Sequence, residues 1–176
     1  MSSTPAPDLL AALARRFTVA RELGRGGMGA VLLAHDTSLG RDVAIKILTP
    51  EISSALGPER FAREIRLTAR LVHPNIVPLF DSGTVAECLY YVMPFIDGRT
   101  LRERLDAEGP LPVAEVLRIL SDLAEALAYA HALGTVHRDL KPENVFWYRG
   151  RAMLADFGVA LPLLGEARRM TETGLV

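Results

Sequence analysis

The spacing of apolar positions divides the chain into a strand-rich first half and a helical second half. Phe17-Thr18-Val19-Ala20, Ala30-Val31-Leu32-Leu33-Ala34 and Asp42-Val43-Ala44-Ile45-Lys46-Ile47-Leu48 are short apolar runs bounded by glycines or turn residues, the signature of strands. Residues 36–40 are turn-like and join the last two runs as a hairpin. From 58 to 71 the period lengthens. Phe61, Ile65 and Ala69 recur every four residues behind Pro58, which predicts a helix. Two further strand-like runs are expected at 76–80 and 88–93, and 94–98 interrupts regular structure. Thr100 is placed to cap a short helix that the Gly109-Pro110 pair ends. A long helix is expected over 113–133, with Val116, Leu117, Leu120, Leu123, Ala124 and Leu127 available for its buried face. Short strands flank Gly150, and the remainder reads as loop. Ahead of Phe17, the Ser/Pro/Ala-rich residues 1–8 end in Asp8, a cap for a short helix through Arg16. A β-rich part with one helix, a connector and a helical part make an α+β protein.

Composition narrows the classes of function. A net charge of −1 provides no basic field for nucleic acid or anionic lipid. The single cysteine, Cys88, excludes an internal disulfide, and no Cys/His cluster has metal-ligand spacing; a reducing, cytoplasmic setting follows. Asp8 precedes the short apolar stretch at the start and Arg15 and Arg16 follow it, the reverse of an export signal. The helix expected over 113–133 carries Glu115, Arg118, Asp122 and Glu125, so no membrane segment is expected within this chain.

Three motifs carry chemistry. Gly24-Arg25-Gly26-Gly27-Met28-Gly29-Ala30-Val31 fits G-x-G-x-x-G-x-V, in which glycines let backbone N–H groups close over phosphate oxygens. A dinucleotide-binding loop opens a helix and has an acidic residue about twenty positions on. Here a strand follows and the residue near that distance is Lys46, which points away from a Rossmann fold. Lys46 closes Val43-Ala44-Ile45-Lys46; alone it reads as a snorkelling surface lysine, but Glu64 on the next helix offers it a partner. Helix glutamates are otherwise usually solvated. The third motif is His137-Arg138-Asp139-Leu140-Lys141-Pro142-Glu143-Asn144, followed by Asp156-Phe157-Gly158. Its Asp and Asn, taken singly, would be Asx-turn residues of a loop.

The ordered set of glycine loop, V-A-I-K lysine, helix glutamate, H-R-D-x-x-x-x-N and D-F-G resembles the protein kinase family. The resemblance runs from about Phe17 to the last residue. Lys141, two places after Asp139, is similar to the serine/threonine branch. Gly24-Arg25-Gly26-Gly27-Met28-Gly29 and Asp156-Phe157-Gly158-Val159-Ala160 resemble the bacterial, receptor-type members related to eukaryotic kinases, and His73-Pro74-Asn75-Ile76-Val77 resembles the family's segment after the first helix. The resemblance implies a bilobal fold: an extension with a short helix over 1–16, an N-lobe over 17–93 with a five-stranded antiparallel sheet and one helix, a hinge over 94–98, and an incomplete, mainly helical C-lobe over 99–176 that stops in the activation segment. Without the later helices of that lobe, part of the 113–133 face would meet water, and a marginal, aggregation-prone chain is expected.

The roles implied by the resemblance are as follows. Asp139 accepts or orients the proton of a substrate Ser/Thr hydroxyl, Lys141 neutralises the transferring phosphoryl group, and Lys46, held by Glu64, orients ATP. Asn144 and Asp156 are hard oxygen ligands for Mg²⁺. Leu23, Val31 and Ala44 form the roof over adenine and Phe146 its floor, while the loop residues Gly24, Arg25, Gly26, Gly27, Met28 and Gly29 cover the phosphates. Met93 occupies the gatekeeper position. Pro94, where an acidic residue is commoner, and Ile96 offer backbone groups to adenine; Pro94 has only its carbonyl to give. Arg138 beside Asp139 implies control by phosphate on Thr171 or Thr173. The partners implied are ATP, protein substrates and a second copy for autophosphorylation. A nucleotide-binding scaffold without turnover stays open as an alternative. A small-molecule phosphotransferase is disfavoured, because such enzymes usually lack this glycine loop and the Lys141 arrangement.

Overall fold

The computed structural model describes residues 11–157. Two compact units divide the chain: residues up to Ile65 together with Leu79–Phe95, and Arg66–Pro78 together with the residues from Ile96 on.

The first unit is a five-stranded antiparallel sheet. Its strands are β1 (Phe17–Gly26), β2 (Gly29–Asp36), β3 (Arg41–Leu48), β4 (Asp81–Val85) and β5 (Cys88–Pro94), in the spatial order β1-β2-β3-β5-β4. The β2–β3 hairpin closes where the sequence predicts, and Asp36 stabilises the turn: its carboxylate accepts from the Ser38 N–H at 3.0 Å and the Ser38 hydroxyl at 2.6 Å. Arg16 grips the same carboxylate at 2.9 Å and also pairs with Asp81, fastening the residues ahead of β1 to the β2–β3 turn and to the start of β4. β4 and β5 join through Ala86 and Glu87, both with φ > 0 (45° and 63°), a two-residue connection whose twist suits antiparallel strands.

Pleating gives this sheet two different faces. Leu32 and Ala34 of β2, Val43, Ile45 and Ile47 of β3, and Cys88 and Val92 of β5 pack on one face with Leu13 and Phe17. Their alternate neighbours Val31, Ala44, Lys46, Tyr91 and Met93 occupy the other.

Two helices lie between β3 and β4. The first, α1 (Pro50–Leu56), is absent from the sequence reading although its signals are present: Thr49 caps it by accepting from the Ile52 N–H, Pro50 opens it and Gly57 follows it. α2 (Pro58–Thr68) buries Phe61 and Ile65 as expected. It ends three residues earlier than the periodicity suggests, the chain tightening into a turn whose Leu71 N–H reaches the Thr68 carbonyl.

Residues 76–80 correct an expectation, for they form no strand. Only Ile76 makes a bridge, to Leu154, flanked by the Leu154 N–H to the Asn75 carbonyl at 2.8 Å and the Val77 N–H to the Leu154 carbonyl at 2.9 Å. Pro78 has no N–H with which to continue a ladder. The strand that flanks β5 is the more polar β4, which begins at Asp81.

In the second unit, β6 (Arg99–Thr100), β7 (Val145–Tyr148) and β8 (Arg151–Leu154) form a small antiparallel sheet with α3 (Leu101–Glu108) and α4 (Val113–Ala132). Thr100 and Glu103 make a reciprocal cap at the start of α3, the Thr100 hydroxyl accepting from the Glu103 N–H at 3.2 Å and the Glu103 carboxylate from the Thr100 N–H at 2.7 Å. The core gathers Leu71, Ile76, Val145, Ala152, Leu154 and Phe157 against α4. The buried seam of α4 is Ile119, Leu123, Ala126 and Ala130, while Val116, Leu117, Leu120 and Ala124 lie exposed, in line with the expectation that part of the apolar face would meet water. Among the described residues, no helix is long and apolar enough to cross a membrane.

Ile45 is fully buried at the middle of the central strand. Ile45→Ala is expected to lower unfolding free energy by about 2–5 kcal/mol, read as a lower urea midpoint at unchanged slope.

Candidate active site

The glycine-rich segment forms the tip of the β1–β2 hairpin. Gly24, Arg25 and Gly26 end β1, Gly27 and Met28 turn the chain, and Gly29 opens β2 opposite Gly26. Gly29 has φ +144°, and a Cβ there would stand 1.9 Å from the Ile47 carbonyl oxygen; no side chain fits. The Met28 carbonyl accepts from the Thr49 N–H at 3.1 Å, tying the turn to the end of β3. A Cβ at Gly24, Gly26 or Gly27 would meet nothing within 4 Å, so the described protein leaves space beside these backbone amides.

Behind this tip, Val31 pairs with Lys46 across β2 and β3, and Ala44 pairs with Met93 across β3 and β5. Val31, Ala44, Lys46 and Met93 therefore share the sheet face that the Leu13–Phe17 core does not use. The Lys46 ammonium lies 5.9 Å from the centre of the Tyr91 ring, a neighbour the sequence reading missed because only the β3–β5 pairing brings it there. Glu64 is half-buried on α2. Pro94 closes β5 opposite Val43, and Ile96 follows in the connector, its carbonyl accepting from the Gly98 N–H.

The second unit concentrates the polar chemistry in the loop after α4. The Asp139 carboxylate takes the Lys141 ammonium at 2.6 Å and the Asn144 amide nitrogen at 3.1 Å on the same oxygen. Asn144, in a 3₁₀ turn over Pro142–Asn144, also donates to the Asp139 carbonyl at 2.8 Å. Its backbone carbonyl accepts from the Ala155 N–H at 2.9 Å, which sets Asp156 next in line. Phe146 follows on β7, opposite Met153 of β8.

His137, in the motif but not among the sequence-predicted site residues, holds these loops together. Its ring is buried. Nε2 donates to the Ala155 carbonyl at 2.8 Å, and Nδ1 accepts from the Asp139 N–H at 3.2 Å. A ring that donates from one nitrogen and accepts at the other is neutral, with its proton on Nε2. Phe157 meets it edge-on, 4.7 Å between ring centres. Arg138 and Asp156, on either side of this junction, both adopt left-handed backbone, φ 67° and 61°, a strained conformation that clusters at functional sites. Asn75 lies in the family-like segment 73–77, and its buried amide donates to the Ala152 carbonyl at 2.8 Å. No sequence signal separates it from an ordinary turn asparagine. Gly158, Thr171 and Thr173 lie outside the described residues.

The donor set suits a hard cation shared with phosphate oxygens. Among the described residues, no three His, Cys, Asp or Glu side chains form an all-protein metal site. Asn144 spends its NH₂ on Asp139, leaving its amide oxygen to act beside the Asp156 carboxylate as a Mg²⁺ ligand type.

Burial pushes the proton affinity of His137 below that of an ordinary imidazole, outweighing the Ala155 carbonyl and the carboxylates of Asp156 and Asp139, which pull the other way. The unfolded chain therefore binds more protons as pH falls through the ordinary imidazole range, and the folded state loses stability on the acid side. The melting temperature is expected to fall between pH 7.5 and 5.5, and His137→Asn is expected to flatten that slope in parallel thermal scans.

Comparison with known proteins agrees with this arrangement. The protein kinase domain family matches residues 17–174. The serine/threonine-protein kinase pkn2 of Myxococcus xanthus is 46% identical over 160 residues, covering 88% of this chain and 19% of that relative. PrkC of Bacillus subtilis is 41% identical over 150 residues, 84% of this chain and 23% of the relative. The kinase domain of PknI from Mycobacterium tuberculosis superposes with a TM-score of 0.76 at 38% identity, covering 82% of this chain and 59% of that structure. The chain thus spans about a fifth of the length of these curated relatives. With the family matched over residues 17–174, this chain belongs to the protein kinase domain family.

Proposed function

We propose that this chain carries the nucleotide-binding and catalytic-loop part of a bacterial serine/threonine protein kinase, which transfers the γ-phosphoryl group of ATP to Ser/Thr hydroxyls of proteins. The observation that carries the reading is the Asp139 carboxylate, held by Lys141 and Asn144 in a loop fixed from behind by His137. Phosphoryl transfer depends on positioning and charge neutralisation, and these contacts supply both. A carboxylate so oriented takes the proton of the substrate hydroxyl as its oxygen bonds to the γ-phosphorus and ADP leaves. The Lys141 ammonium, beside that carboxylate, offers positive charge to the phosphoryl oxygens. On the first unit, the open space beside the amides of Gly24, Gly26 and Gly27 suits phosphate groups, and Lys46 suits orientation of the α- and β-phosphates. Val31, Ala44, Leu23 and Phe146 are assigned to adenine, with Met93 as gatekeeper and the carbonyl of Pro94 and the backbone of Ile96 as its polar partners. Mg²⁺, held by Asn144 and Asp156, would offset the phosphate charge. Cys88 is a buried free thiol, in keeping with a reducing cytoplasm.

In the full-length protein, Asp139→Asn is expected to lower phosphoryl transfer by about 10²–10⁴-fold while Mg-ATP still raises the melting temperature. Lys46→Met is expected to weaken that ATP-dependent shift. Thermal shift beside transfer of ³²P from ATP reads both. Binding without transfer by the unaltered protein would replace this reading with a nucleotide-binding scaffold.

Arg138 is assigned to receive a phosphate from the activation segment, where phosphorylation adds about −1.5 to −2 units of charge. Active protein, autophosphorylated between copies, is expected to carry phosphate on Thr171 or Thr173. Peptide mass mapping that finds both unmodified would remove this control.

A further inference from the structure

Strand β1 departs from regular pairing just before the glycine turn. Glu22 lies opposite Leu32 and Gly24 opposite Val31, with a register shift between them, so Leu23 is an extra residue in the ladder. Such a bulge bends the strand and re-aims a side chain, and bulges are over-represented beside active sites. It also changes which residues share a face. Three positions apart, Glu22 and Arg25 would stand on opposite faces of a regular strand, and the inserted Leu23 returns them to the same one. There they form a two-pronged ion pair, Arg25 Nε to Glu22 Oε1 at 3.0 Å and Nη2 to Oε2 at 2.5 Å. The fork spans Leu23 and Gly24 and closes on both sides of the bulge. Both side chains remain about a third exposed, 36% and 37%, so neither is part of the core.

We propose that the Glu22–Arg25 pair is a latch on the Leu23 bulge, and that both are positioning residues that hold Leu23 and the β1 arm of the glycine turn in the shape that receives the adenine side of the nucleotide. This rests on the nucleotide site proposed above. Exposed ion pairs generally contribute little, and forked guanidinium–carboxylate geometry is the recognised exception. A modest, specific effect follows: the latch removes freedom from the empty loop that binding would otherwise have to freeze.

The test is made on the full-length protein with Glu22→Gln, Arg25→Gln and the charge exchange Glu22→Arg/Arg25→Glu. Each single variant is expected to weaken adenosine and ATP alike by about two- to fivefold, raising KM for ATP with melting temperature nearly unchanged, and Glu22→Gln is expected to leave kcat nearly unchanged. The exchange is expected to recover most of the loss. Arg25→Gln weakening ATP but not adenosine would overturn the latch in favour of a direct arginine–phosphate contact. Singles without effect, or an exchange no better than the singles, would overturn it too. Lys46→Met, run alongside, separates the two levels. If ATP affinity survives Lys46→Met, the nucleotide site itself is misassigned. If it falls while Glu22→Gln changes nothing, only the latch is lost.

Discussion

In the second unit, one uncharged imidazole carries the arrangement of the polar loops. His137 is buried, and both ring nitrogens are engaged, one by the Asp139 N–H and the other by the Ala155 carbonyl. These two bonds fix where Asp139 begins and where Asp156 follows. They need a ring with one donor and one acceptor, so they hold only while His137 is neutral. Burial favours that state by penalising charge, and Phe157 packs edge-on against the same ring. Contacts that serve packing thus also set the orientation of Asp139, whose carboxylate then gathers Lys141 and Asn144.

The first unit works by a different economy, that of a two-faced sheet. Val43, Ile45 and Ile47 build the core with Leu13 and Phe17, while Ala44 and Lys46, between them in sequence, face the other way. A single-residue slip of β3 would exchange the two sets, so core packing protects the placement of the lysine. At the hairpin tip the backbone itself sets the shape. Gly29 is forced by its close approach to Ile47, while its neighbouring glycines face open space. Steric necessity and room for a ligand occur within six residues of each other.

Much of this was legible in the chain. The hairpin 36–40, the caps at Thr100 and Gly109, the long helix and the motif residues follow from local chemistry, and the structure puts Asp139, Lys141 and Asn144 in contact. Residues 76–80 look like a strand because they are apolar, but their burial comes from one bridge to Leu154, a residue far along the chain. In α4, leucines and alanines surround much of the helix, and the choice of Ile119, Leu123, Ala126 and Ala130 as the buried seam was made by β8 and its neighbours. α1 escapes the periodicity although Thr49, Pro50 and Gly57 mark it, since a seven-residue helix gives too few turns for a period to show.

The sequence by itself determined the family, the strands of the five-stranded sheet other than β4, the helix caps and the order of the motif residues, because these depend on local backbone preference and on residue type. Only the tertiary structure decided the neutral state of His137, the grip of Asn75 on β8, the company of Tyr91 with Lys46 and the bulge that brings Glu22 to Arg25. Each of these arises from a long-range contact, from burial or from a one-residue shift in pairing. Such things are set by which distant segments pack together, and no local propensity encodes them.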